Sequence, residues 1–251
     1  MRYFLKLSFQ GAAYHGWQIQ PNDVSVQETV EKALAMVLRR DTPITGAGRT
    51  DAGVNAMTMY AHFDVEKPID DVDKLKRSLN GILPGDIAIH DIIPVDDTAH
   101  ARFDAVSRTY RYFAHIAKSP VLAATSWQCS PRLDFDIMNQ AAQHLLQYED
   151  FTSFSKLHTD VKTNICHVTE AHWDRCHGID TTVEQWVFTI TADRFLRNMV
   201  RAIVGTLVEV GNHKISVEEF CRIIEKKDRC AAGTSMPAHA LFLWDVKYPY
   251  I

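Results

Sequence analysis

The residues best suited to chemistry lie in Gly46-Ala47-Gly48-Arg49-Thr50-Asp51-Ala52-Gly53. Glycines at 46, 48 and 53 let the backbone turn sharply and approach a ligand closely. An arginine and an aspartate stand two residues apart inside that frame. A dinucleotide fingerprint would need a glycine where Asp51 stands, and a P-loop would need Gly-Lys-Ser/Thr. A carboxylate at that point would repel phosphate. Asp51 has two readings: a turn aspartate bonded to its own backbone, or a carboxylate presented to a substrate. The loop offers no apolar bulk for packing, which favours the second.

Two further stretches carry cations beside aromatic or apolar residues. In Arg108-Thr109-Tyr110-Arg111-Tyr112-Phe113, preceded by Arg102-Phe103, a strand would put Arg108, Tyr110 and Tyr112 on one face. Arg with Tyr suits an unstacked base and its phosphate, although a strand with a solvated Arg and core aromatics has the same pattern. In Arg194-Phe195-Leu196-Arg197-Asn198-Met199-Val200-Arg201, the spacing i, i+3, i+7 predicts one helical stripe of Arg194, Arg197 and Arg201. Arginines at a helix start oppose the macrodipole, a cost that a polyanion or buried carboxylates would offset. Cys166, His167, His172, Cys176 and His177 cluster in sequence, but their spacing matches no standard zinc pattern. Neither a serine nucleophile elbow nor a catalytic cysteine setting is apparent.

Composition narrows the partners. The 251 residues are 46% hydrophobic and 23% charged, as in an ordinary globular protein, with a formal net charge of −4. Any nucleic-acid contact must therefore come from local Arg and Lys clusters. No apolar run approaches a membrane span, and Lys6 interrupts the apolar stretch that a signal peptide would need. Five cysteines without a CxxC pair predict free thiols in a reducing cytosol.

These groups need elements to position them. Tyr3, Leu5, Leu7 and Phe9 alternate as one face of a strand over 3–9, and Ser25 with Glu28 forms a capping box for a helix through Val26, Val30, Leu34 and Val37. After the glycine loop, Met57, Met59, Ala61, Phe63 and Val65 alternate with Thr58, Tyr60, His62 and Asp64, predicting a strand with a polar second face. Val72, Leu75 and Leu79 mark a second helix. Strands follow at 87–93 and 109–116, a helix at 136–147, and strands at 163–173 and 182–191. Phe195 to Val210 reads as a helix ending at Gly211 as its C′ residue. Ser216 with Glu219 caps a further helix, and Leu241 to Val246 closes the chain as a strand. The class is α+β, and each half has a strand–helix–strand–helix–strand order compatible with a ferredoxin-like unit. A boundary near 105 separates an N-terminal subdomain, 1–105, from a C-terminal one, 106–251.

Together these stretches resemble the tRNA pseudouridine synthase A family. The resemblance rests on Gly48-Arg49-Thr50-Asp51-Ala52-Gly53-Val54, on Ser107-Arg108-Thr109-Tyr110-Arg111-Tyr112, and on Phe195 through Gly205. It extends to Tyr14-His15-Gly16-Trp17-Gln18 and to Ala232-Gly233-Thr234-Ser235-Met236-Pro237-Ala238-His239 with Leu241-Phe242-Leu243. It implies the pseudouridine synthase fold: two RNA-recognition-like halves with largely antiparallel sheets and flanking helices. It implies isomerisation of uridine to pseudouridine at tRNA positions 38 to 40, and a cytoplasmic homodimer with tRNA as partner. No cofactor, metal or membrane is implied. Two residues depart from the usual pattern: Asn55 stands where His is usual, and Ala240 where Gly is usual.

By that resemblance Asp51 is the catalytic carboxylate, either attacking C1′ or taking a proton from C2′. Arg201 is the cation that keeps it ionised against desolvation. Tyr110 stacks on the uracil, its hydroxyl near the C5 proton, and Arg49 helps hold the displaced nucleotide. Flipping the target base costs a few kcal/mol, and Arg102, Arg108, Arg194 and Arg197 are candidates for repaying it through phosphate contacts. The competing readings are an RNA-binding protein without catalysis and a hydrolase, which would need a second carboxylate.

Overall fold

The computed structural model describes residues 1–156 and 163–251. The chain forms two compact units, Met1–Val106 together with Leu243–Ile251, and Ser107–Phe242. The five α-helices among the described residues include none long and apolar enough to cross a membrane.

The first unit runs β1 (Arg2–Phe9), α1 (Val26–Leu38), β2 (Thr45–Gly46), β3 (Asn55–Asp64), α2 (Val72–Ile82) and β4 (Ile87–Val95). Its sheet order is β4-β1-β3-β2 with every neighbouring pair antiparallel. That is the split βαβ arrangement of a ferredoxin-like unit. β2 is only two residues long, too short to show a period, and Gly46 opposite Ala61 starts the glycine loop directly from the sheet.

The apolar face of β1 is buried as its alternation predicts, but Phe4 on the other face is also fully buried, edge-on to Tyr248 at 5.2 Å. β3 departs from expectation in the same way. Met57 is exposed, whereas Tyr60 and His62 of the predicted polar face are buried. Residues from the chain's far end cover them: the Tyr60 ring meets Tyr248 at 5.2 Å. His62 Nδ1 accepts the Ala101 N–H at 3.2 Å, and burial beside Arg2 and His100 pushes its imidazole down to about 4. Alternation predicts one wet face; here the Tyr60 ring packs in an aromatic cluster and the His62 ring nitrogen is hydrogen-bonded. At α1 the Ser25 side chain accepts from the Glu28 N–H, but the Glu28 carboxylate turns to Lys32 instead of completing the box.

The second unit contains β5 (Ser107–Ile116), β6 (Trp127–Cys129), α3 (Phe135–His144), β7 (Val168–Cys176), β8 (Gln185–Ala192), α4 (Met199–Gly211) and α5 (Val217–Lys226). β5, β8 and β7 are consecutive antiparallel neighbours, and β6 adds to β5 in parallel. β9 (Leu241–Lys247) carries the chain from this unit back to the first. Ser216 and Glu219 form both halves of the capping box on α5.

The helix expected from Phe195 begins only at Met199. Asn198 takes φ +66°, a left-handed conformation that no α-helix continues through, and Arg194 to Leu196 form an irregular segment. Arg194, Arg197 and Arg201 therefore do not make a helical stripe. The periodic apolar pattern continued across a break that neither Gly nor Pro announces. Gly211 is likewise the last helical residue, and His213 takes the left-handed position at φ +55°.

Candidate active site

The loop bearing Asp51 is a tight turn with a defined seat. Val54 N–H donates to the Asp51 carbonyl at 3.1 Å, and Gly53 between them has φ +77°, the position where a type II turn calls for glycine. Under this turn runs a strap, residues 10–17. Trp17 N–H donates to the Thr50 carbonyl at 3.3 Å, and Gly53 N–H to the Tyr14 carbonyl at 3.3 Å.

Strap and turn are in backbone contact, so side chains are excluded where they meet. A Cβ on Gly16, itself at φ +96°, would lie 2.4 Å from the Thr50 carbonyl oxygen, and one on Gly11 would lie 2.2 Å from that of Val54. Gly46 accommodates the Trp17 indole instead. Gly48 is different: a Cβ there would meet nothing within 4 Å. The strap is anchored in turn. The Tyr14 hydroxyl donates to Asp86 Oδ1 at 2.7 Å, and Gln10 N–H donates to the Asp86 carbonyl at 2.9 Å. Burial and the Asp86 charge hold the Tyr14 phenol above its usual range. Asp51 itself is half-buried and Arg49 exposed on the same turn.

The second unit holds Tyr110 and Arg201. Tyr110 lies on β5 opposite Ile190 of β8, and its ring meets the edge of Phe195 at 5.1 Å and 87°. Arg108 Nη1 donates to the Asp193 carbonyl at 2.7 Å, and Arg194 Nη1 to that of Thr163 at 3.2 Å. Both guanidiniums thus help fix the irregular segment before α4. Arg197 is exposed, and its carbonyl accepts the Lys156 N–H at 3.1 Å. Tyr112, which the sequence puts on the Tyr110 face, is fully buried; burial raises its phenol and the charge of Arg201 opposes the rise.

Arg201 is held by the segment Ala232–Met236. Its Nε donates to the Met236 carbonyl at 2.6 Å, and its own carbonyl accepts the Met236 N–H at 3.1 Å. Asn198 Nδ2 reaches Ser235 Oγ at 2.5 Å, and Gly233 N–H donates to Thr206 Oγ1 at 2.9 Å. A Cβ on Gly205 would lie on top of the Thr234 carbonyl oxygen, so this glycine lets the segment run against α4.

In the first unit Arg102 is exposed with its guanidinium 5.8 Å from the centre of the exposed Phe103 ring. His167 pairs with Glu149, and His172 lies between Glu170 and Asp174. Among the described residues no three His, Cys, Asp or Glu side chains converge as metal ligands. The structure therefore brings Asp51 and Arg49 together on one turn, and Tyr110, Arg108 and Arg194 around the segment before α4. The supporting roles of Tyr14, Gly16, Asp86 and Asn55 escaped sequence reasoning. They act through contacts between segments distant in sequence; the stretch Tyr14 to Gln18 and the departure at Asn55 were visible there without a role.

A family model described as tRNA pseudouridine synthase matches residues 7–104 and 141–249. A tRNA pseudouridine synthase A of Parabacteroides distasonis is 56% identical over 248 residues, covering 99% of this chain and 96% of that protein. One of Bacteroides thetaiotaomicron is 57% identical, covering 99% and 91%, and one of Bacillus subtilis is 38% identical, covering 99% of both.

Proposed function

This chain belongs to the tRNA pseudouridine synthase family, and from that premise we propose that it converts uridine to pseudouridine in the anticodon stem-loop, at tRNA positions 38 to 40, with Asp51 as the catalytic carboxylate. It is an isomerase acting on tRNA uridine, so the reaction needs no net reactant. The bond from N1 to C1′ breaks, the uracil rotates, C5 bonds to C1′, and the C5 proton is lost while N1 gains one.

The observation that carries the assignment is the Asp51 turn. Its backbone is fixed on both sides by main-chain hydrogen bonds to the strap, and the half-buried carboxylate rises from that fixed backbone, as a group meeting a sugar carbon must be positioned. The absence of any neighbour within 4 Å of a Cβ on Gly48 supports close approach of the RNA backbone on that side. Attack at C1′ and proton abstraction at C2′ both suit a carboxylate so presented. Tyr110, packed at right angles to Phe195, offers an aromatic ring to the uracil. Arg201 supplies the cation, Arg49 holds the displaced nucleotide, and Arg102, Arg108, Arg194 and Arg197 meet phosphates. The working form is read as a cytoplasmic homodimer.

The test is tRNA carrying tritium at C5 of its uridines. The protein is expected to release tritium, with pseudouridine mapped by carbodiimide-dependent primer-extension stops to positions 38 to 40. Release with stops confined to another arm of the tRNA contradicts the anticodon assignment.

A further inference from the structure

We infer that the side-chain carbonyl of Asn55 is a positioning group for Asp51, acting as a hydrogen-bond acceptor that stays in force at every working pH. The inference rests on the assignment of Asp51 as the catalytic carboxylate. Asn55 opens β3 immediately after the Asp51–Val54 turn and is 1% exposed. Its Oδ1 accepts the buried N–H of Gly11 at 2.8 Å. The Gly11 carbonyl accepts from Tyr14 N–H at 3.0 Å, and the Tyr14 carbonyl accepts from Gly53 N–H at 3.3 Å. The path leaves the catalytic turn at Asn55, crosses the strap and returns to the turn at Gly53. The circuit closes through Gly53, Val54 and Asn55, and Val54 N–H ties it to the Asp51 carbonyl at 3.1 Å.

The bond from the Gly11 N–H to Asn55 Oδ1 is buried, and Asn55 is the acceptor it has there. A buried N–H left unpaired is costly, and the strap would shift to relieve it, taking the Gly53 anchor with it. An amide oxygen accepts at any pH, whereas an imidazole nitrogen accepts only while neutral. The titratable groups on the packed elements are Asp51 on the turn, Tyr14 and His15 on the strap, and Asp86 against Tyr14.

The experiment compares Asn55→Leu, Asn55→His and Asp51→Asn with the native protein in single-turnover tritium release, alongside tRNA affinity and circular dichroism. Asn55→Leu keeps the volume and removes the acceptor; its rate is expected to fall about 10- to 100-fold, the scale of a displaced catalytic group, with tRNA affinity within about twofold. Asn55→His is expected to recover to within about threefold of native at pH 8. It should hold that rate down to pH 5.5, because burial at this site depresses an imidazole as it does at His62 and keeps it an acceptor. A folded Asn55→Leu with native rate overturns the inference. So does a loss carried only by affinity, or a loss that Asn55→His fails to repair at pH 8. Should Asn55→Leu fail to fold, Asn55→His decides alone, and a folded Asn55→His more than about tenfold slower than native at pH 8 overturns the inference. Asp51→Asn separates the levels: if it keeps native activity, the assignment of Asp51 fails, whereas an inert Asp51→Asn beside a native-like Asn55→Leu removes only the role of Asn55.

Discussion

The turn that carries Asp51 and the helix start that carries Arg201 are each held by a distant segment lying alongside, but by different means. At Asp51 the hold comes mainly from absent side chains: Gly11 and Gly16 let the strap backbone touch the turn backbone, and apart from the Asn55 bond to Gly11 the bonds between them are main chain to main chain. At Arg201 two glycines, Gly205 and Gly233, meet in that way, and most of the bonds involve side chains, with Arg201, Asn198 and Thr206 each bonding the Ala232–Met236 segment beside one main-chain bond from Met236 to Arg201. The difference predicts opposite sensitivities. Adding atoms should damage the first region, and removing or moving polar atoms should damage the second.

The largest effect is expected at Gly16. Gly16→Ala puts a Cβ 2.4 Å from the Thr50 oxygen at φ +96°, and strain with overpacking should cost about 2–4 kcal/mol, read as a lower urea midpoint. Tritium release should fall with it, because the turn must move. Gly48→Ala, with open space around it, should unfold within about 0.5 kcal/mol of native. Equal stabilities for the two variants would break the contrast.

Arg201→Lys comes next. The Nε bond to the Met236 carbonyl fixes the orientation of a planar guanidinium, which a lysine point charge cannot copy. Release should slow by about tenfold or more while the urea midpoint moves by no more than about 2 kcal/mol, the worth of a hydrogen bond to a charged group. A lysine variant with native rate would show that charge alone suffices there.

The smallest effect tests the backbone at Asn198. Both Asn198→Ala and Asn198→Gly lose the bond to Ser235, but only alanine strains at φ +66°. Alanine should be the less stable by about 1 kcal/mol. If the two unfold together, side-chain bonding and not conformation sets that bend.

The same contrast explains what could be read from the sequence. The Asp51 loop was legible because glycine spacing is a local signal of an unusual backbone, and β5, α5 and β9 were legible from period and capping. The strap's purpose was not, since Gly11 and Gly16 matter only for what they meet at residues 50–54. The arginine stripe was misread because an apolar repeat continued through Asn198, and a left-handed asparagine leaves no mark in the pattern. Alternation on β3 gave the strand correctly but not its second buried face, which depends on Tyr248 and Ala101 arriving from elsewhere in the first unit. Departures such as Asn55 were visible as letters, and only the bond to Gly11 gave them a physical meaning.

The central claim is that the carboxylate on this turn performs the chemistry. Its most direct test is single-turnover release of tritium from 5-tritiated uridine tRNA by Asp51→Asn, with protein in excess and tRNA affinity measured in parallel. The account predicts a rate at least about 10³-fold below native, the range lost when a reacting group is removed, with affinity within about threefold. Release at the native rate by the folded variant would contradict it.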